Sequence, residues 1–128
     1  MLSFLGKYTE QAYALMRIIT GFLFLFHGAG KLFGLFKDAP SELWTQAWIG
    51  GVIELVGGIL VMIGFQARLA AFICSGTMAV AYMQFHWKFQ FGEAFFPVVN
   101  RGELAVLYCF VFLFIACKGA GKWGVERG

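Results

Sequence analysis

The sequence predicts an all-α integral membrane protein, an antiparallel bundle of four transmembrane helices that forms a single domain over residues 1–128. Three observations predict it. Of the 128 residues, 60% are hydrophobic and only 13% charged, against about 25% charged in an ordinary soluble domain. The apolar residues gather in four long runs parted by short polar stretches. Those runs do not alternate with a period of two, which excludes a barrel built from alternating strands of about ten residues. A crossing takes roughly 20 residues, so any chemistry is expected inside the bundle or on a partner.

The first helix is expected over about 12–36, apolar except for Arg17, His27 and Lys31, and it gives way to the polar stretch KDAPSELWTQA. The second, over about 48–64, carries one charge, Glu54. The third runs over about 69–87 and reaches His86 near its far end. After the loop KFQFGEAFFPVV, the run Asn100-Arg101-Gly102-Glu103 opens a fourth helix over about 101–118. Asn100 as N-cap with Glu103 three residues later has the form of a capping box.

An even number of crossings puts both termini on one side. Lys7, Arg68, Lys118, Lys122 and Arg127 flank the helices there, against Lys37, Lys88 and Arg101 on the other side. The excess places both termini in the cytoplasm of a cell whose inner membrane holds the chain. Trp44, Trp48 and Trp87 form the expected outer aromatic belt, with Trp123 at the inner one. The N-terminus lacks a short apolar core followed by a small-residue cleavage site, so the first apolar run is expected to act as its own insertion signal.

Composition also excludes several functions. The net charge of +3 comes from scattered Lys and Arg, which gives no basic patch for nucleic acid. The three cysteines, Cys74, Cys109 and Cys117, sit in apolar runs, which argues against a disulfide framework. There is no CxxCH, cysteine-rich cluster or GxGxxG, so c-type haem, iron–sulfur clusters and dinucleotides are unsupported. No EXXH pairing surrounds Glu54 or Glu103, and no metal is expected.

Glu54 is the sharpest candidate. It lies four residues from both Gly50 and Gly58, and such spacing puts the three on one stripe. Glycines let helix backbones approach closely in a membrane, so Glu54 is expected to face the bundle, either neutralising Lys31 or Arg17 or handling protons or a ligand. Arg17, Gly21, Gly28 and Lys31 share a stripe on the first helix. Arg17 is expected to be a structural charge that snorkels to the cytoplasmic interface. His27 is too short to snorkel and needs a hydrogen-bond partner. His27, Lys31, Glu54, His86, Asn100 and Glu103 fall at one level toward the outer ends of four helices. That level is the expected polar site, with its five ionisable members, all but Asn100, lining one pocket.

Arg17, HGAGK at His27–Lys31, GGVIELVGG at Gly50–Gly58, ARLAA around Arg68 and NRGELAVLY at Asn100–Tyr108 together resemble the DoxX family of small four-helix membrane proteins. The match spans nearly the whole chain. The family takes its name from a small subunit of a thiosulfate:quinone oxidoreductase, and the resemblance implies a membrane subunit of redox or sulfur metabolism, with a quinone as the ligand to consider. Shared fold alone assigns no activity, so whether the chain is an enzyme stays open. Two readings compete. In one, the polar level binds a quinone-like ring and exchanges its protons while a protein partner supplies electrons or substrate. In the other, the chain is a non-catalytic membrane anchor or assembly subunit of a larger complex, and the polar groups lock the helices in register; either reading is compatible with a homo-oligomer.

Overall fold

The computed structural model describes residues 1–34, 41–87, 92 and 102–126, and these are helical with short connections. A 3₁₀ turn, Ser3–Tyr8, leads into α1, Thr9–Phe33; α2 is Gln46–Ile63, and α3 is Ala67–Ala81, continued by a π-helical turn, Tyr82–Trp87. The last helix, α4, is Glu103–Lys118. The continuous Ser3–Phe33 segment and α2 are each long and apolar enough to cross a membrane.

Caps explain where the boundaries depart from those expected. The apolar run continues to residue 36, yet α1 stops at Phe33 because Gly34 turns left-handed at φ 72° and its N–H bonds the Gly30 carbonyl at 3.0 Å. Glycine takes that conformation without a Cβ clash. α2 begins two residues early, at Gln46, where the extended Thr45 accepts the Trp48 N–H at 3.2 Å. Its far end is a Schellman motif, with Gly64 N–H on Val61 O at 3.2 Å and Phe65 N–H on Leu60 O at 3.0 Å. The capping-box expectation is corrected at α4. Gly102 is the N-cap, no side chain caps it, and Glu103 is the first helical residue rather than the third. There it complements the positive end of the helix dipole. Arg101 and Asn100 lie outside the described residues.

The four helices pack antiparallel, and each neighbouring pair meets by different chemistry. Between α1 and α2 the contact is backbone on backbone. A Cβ on Gly21 would stand 2.5 Å from Gly58 O and 2.6 Å from Met62 N, and one on Gly28 would strike Gly51 O and Leu55 N. The interface pair on α2 is therefore Gly51 and Gly58; Gly50, expected on that stripe, has no contact closer than Glu54 Oε1 at 3.9 Å. α1 meets α4 through rings: Phe24 lies 5.0 Å from Tyr108 and 4.7 Å from Phe112, centroid to centroid. On the α3–α4 seam the Ser75 hydroxyl donates to the Cys109 carbonyl at 2.7 Å. α2 and α3 touch at Gly57, where a Cβ would strike Cys74 Sγ, and leave hollows along their seam.

Polarity is inverted relative to a water-soluble bundle. Arg17 and Glu54 are buried, whereas Leu15, Phe22, Val56, Phe72, Leu107 and Phe110 point outward.

The glycine contact yields a stability prediction. Gly28→Val is expected to lower stability in mild detergent by about 1–3 kcal/mol or more, because the new side chain must displace backbone. Gly76→Ala, where a Cβ meets nothing within 4 Å, should change it by no more than about 0.5 kcal/mol. Equal melting temperatures for the two variants would contradict the packing.

Candidate functional site

The α1–α2 register that sets Gly28 against Gly51 also carries Lys31 alongside Glu54, and the Lys31 ammonium donates to Glu54 Oε1. Glu54 is 2% exposed, while the Lys31 side chain keeps 30% of its surface. The pair therefore has an inner member, closed off from solvent, and an outer one at a rim. A buried carboxylate needs such a partner, because desolvating an unpaired charge costs several kcal/mol.

Beside the pair opens a cleft of about 630 Å³ between α2 and α3. Ile49, Gly50 and Ile53 form one wall and Gly76, Thr77 and Val80 the other, with Lys31 and Glu54 at the side. Gln46 stands at its outer end and exchanges two amide hydrogen bonds with Gln84, at 2.6 Å and 3.3 Å. This clasp ties the start of α2 to the π-helical turn after α3. Such turns are often found at functional sites.

The other expected site residues divide. His27 precedes Gly28 by one position, roughly 100° around the helix, so it turns toward α4 rather than α2. It is exposed, sets its ring edge-on to Tyr108 at 5.8 Å and to Phe24 at 6.5 Å, and does not line the cleft. Among the described residues these are its contacts in place of the hydrogen bond expected of it. Glu103 is exposed at the head of α4, also away from the cleft. The structure thus brings Lys31 and Glu54 together and places His27 and Glu103 away from their cleft. The His86 side chain and the whole of Asn100 lie outside the described residues. Among the described residues no group of three or more His, Cys, Asp or Glu gathers to hold a metal.

Arg17 also departs from expectation. It does not snorkel: it is 0% exposed. Residues 119–126 fold back under the bundle, and the guanidinium donates to the carbonyls of Ala120, of Lys122 at 3.0 Å and of Trp123 at 3.3 Å. Tyr13 donates to Gly119 O at 2.5 Å, and Val125 N–H bonds Ile63 O at 2.8 Å. The tail brings polar carbonyls to the charge, so the charge need not reach the interface. Arg68 meanwhile bonds the last carbonyls of α4, those of Ala116, Cys117 and Lys118, where a cation suits the helix dipole. Neither the tail ligands nor the Gln46–Gln84 clasp left a periodic signal in the sequence.

Comparison with known proteins finds relatives of the sequence. The family model DoxX matches residues 12–87. An uncharacterized protein of Haemophilus influenzae is 38% identical over 96% of this chain and 94% of its own length. A Bacillus subtilis protein named putative oxidoreductase CatD is 31% identical over 91% of this chain and 85% of its own. No solved structure matches.

Two predictions follow from the charges. Lys31→Met and Glu54→Leu should each destabilise the protein by about 3–5 kcal/mol, and the double variant by much less, since breaking a buried pair costs more than replacing both members. Additive losses in a double-mutant cycle would rule out a coupled pair. Arg17→Met should release the tail, seen as faster limited proteolysis at Lys122; an unchanged cleavage rate would show that the tail is held without it.

Proposed function

The chain belongs to the DoxX family of membrane proteins, and from that premise we propose that all four helices cross the cell's inner membrane, with both termini cytoplasmic. Support for four crossings comes from the outward apolar side chains on every helix, including Leu69 and Phe72 of α3 and Leu107, Phe110 and Phe114 of α4. Arg68, Lys118 and Lys122 stand at the terminal end, as the excess of positive charge on cytoplasmic loops requires. The exposed Trp44, with its ring 4.9 Å from that of Trp48, and the exposed Trp123 lie at opposite ends, where interfacial tryptophans collect.

Within that frame the chain is a redox-associated membrane subunit whose outer-half cleft takes a quinone-like ring. The observation that carries this reading is the cleft itself. It has room for a ring, walls of Ile, Val and Gly, and a carboxylate and an ammonium at one side. Binding sites for such ligands are mostly apolar with a few placed polar groups. The name of the Bacillus subtilis relative points to oxidoreduction as well. A quinone supplies two-electron chemistry coupled to two protons, and a protein partner supplies the electrons. Lys31 would donate to a ring carbonyl oxygen, and the Glu54 carboxylate beside it would relay protons between that ring and its surroundings. His27 and Glu103, away from the cleft, carry no role in this proposal, and the His86 side chain and Asn100 lie outside the described residues.

A second reading keeps one observation of its own. Lys31 and Glu54 already satisfy each other, which is all that a non-catalytic anchor would require of them.

The two readings separate by binding. In lipid nanodiscs, a short-chain benzoquinone should quench Trp48 saturably, and Glu54→Gln should weaken that binding by about tenfold, the cost of one charge-assisted contact. An absence of saturable binding would leave the anchor reading. The orientation is checked by labelling single cysteines from outside: positions in 38–46 should react and positions after Lys122 should not, and the reverse pattern would invert the topology.

A further inference from the structure

The α2–α3 seam holds a second cavity besides the cleft. This hollow, of about 220 Å³, lies further along the seam, and Ile53 borders both. Its other walls include Val56, Gly57 and Leu60 of α2 and Ala70 and Ile73 of α3, and they present no charged or hydroxyl-bearing side chain. From Gly50 to Leu60 the seam extends about 15 Å at the α-helical rise. Polar groups are confined to its outer end, at Lys31, Glu54, Gln46 and Thr77.

We propose that this seam holds a lipid-dissolved molecule of two parts, a quinone-type ring in the outer cleft and a single hydrocarbon chain in the hollow beyond Ile53; this rests on the ligand reading of the cleft above. Entry is lateral, from the bilayer between α2 and α3. The Gln46–Gln84 clasp bridges the two elements at the outer end, whereas the side walls are half-exposed Val56, Ile73 and Val80. Small residues make the path: Gly50 and Gly76 leave room on facing walls, and a Cβ on Gly76 would meet nothing within 4 Å. Charge selects a neutral head over a phospholipid. The ammonium of Lys31 is already matched by Glu54, so the outer cleft has no net positive charge for a phosphate.

Photolabelling in lipid nanodiscs tests it. One probe is a benzoquinone with a decyl chain carrying a diazirine on its last carbon; the other carries the diazirine next to the ring. The tail probe is expected to label Val56, Leu60, Ala70 or Ile73, and the ring probe Ile49, Ile53 or Val80. Val56→Trp, an outward change that fills the inner hollow, should cut tail labelling by about fivefold or more, the effect of roughly 1 kcal/mol. Ring labelling with tail labels spread over the outward faces of α1 and α4 would overturn the two-part site and leave the cleft reading intact. Equal labelling of the inner hollow by a phospholipid with a diazirine in its acyl chain would overturn it too. Failure of both quinone probes to label the seam would overturn the cleft reading itself.

Discussion

The contact on which the rest of the structure depends is the one between two backbones, α1 on α2, through Gly21 with Gly58 and Gly28 with Gly51. In a lipid environment no hydrophobic effect presses helices together, and close van der Waals approach takes its place. Four missing side chains permit that approach, and because the pairs are seven residues apart on each helix, they admit one register. That register sets Lys31 beside Glu54 at one end and Arg17 near Gly64 at the other. The opposite flank of α2 meets α3 closely at Gly57 and Cys74, and elsewhere the seam is open. The cleft is the consequence of a helix held tightly on one side and loosely on the other.

Two buried charges are accommodated in two ways. Glu54 is matched by a side chain that remains partly exposed at the rim of the cleft. Arg17 is matched by carbonyls of Ala120, Lys122 and Trp123, whose dipoles are part of the chain and cannot leave without unfolding the tail. The first arrangement suits a site that exchanges ligands or protons. The second suits a fixed joint, and it closes the terminal end of the bundle with residues 119–126, while Arg68 holds the carbonyl end of α4. The clasp of Gln46 on Gln84 is the counterpart at the far end.

Much was legible from residue order alone. The helical class, four apolar runs and family membership follow from composition and from motifs such as GGVIELVGG, because a chain with 13% charged residues has few other ways to satisfy its backbone. The stripe of Arg17, Gly21, Gly28 and Lys31 was readable from a rotation of about 100° per residue, and so was the inward face of Glu54. Helix spacing is a local property, and these readings are local.

Partners across helices are not local, and there the fold itself had the last word. Periodicity could not tell whether Glu54 would meet Lys31 or Arg17; the glycine register settles it, since of the two it is Lys31 that lies beside Glu54. Nor could it tell that His27, one residue from Gly28, would turn to Tyr108, or that Arg17 would be met by carbonyls more than a hundred residues away in the chain. A single position of helical rotation, or a tail folding back, moves a polar group from one neighbour to another at no cost visible in the sequence. Which side chains share a cavity is therefore a property of the packed helices, and the residue types only restrict what that cavity can bind.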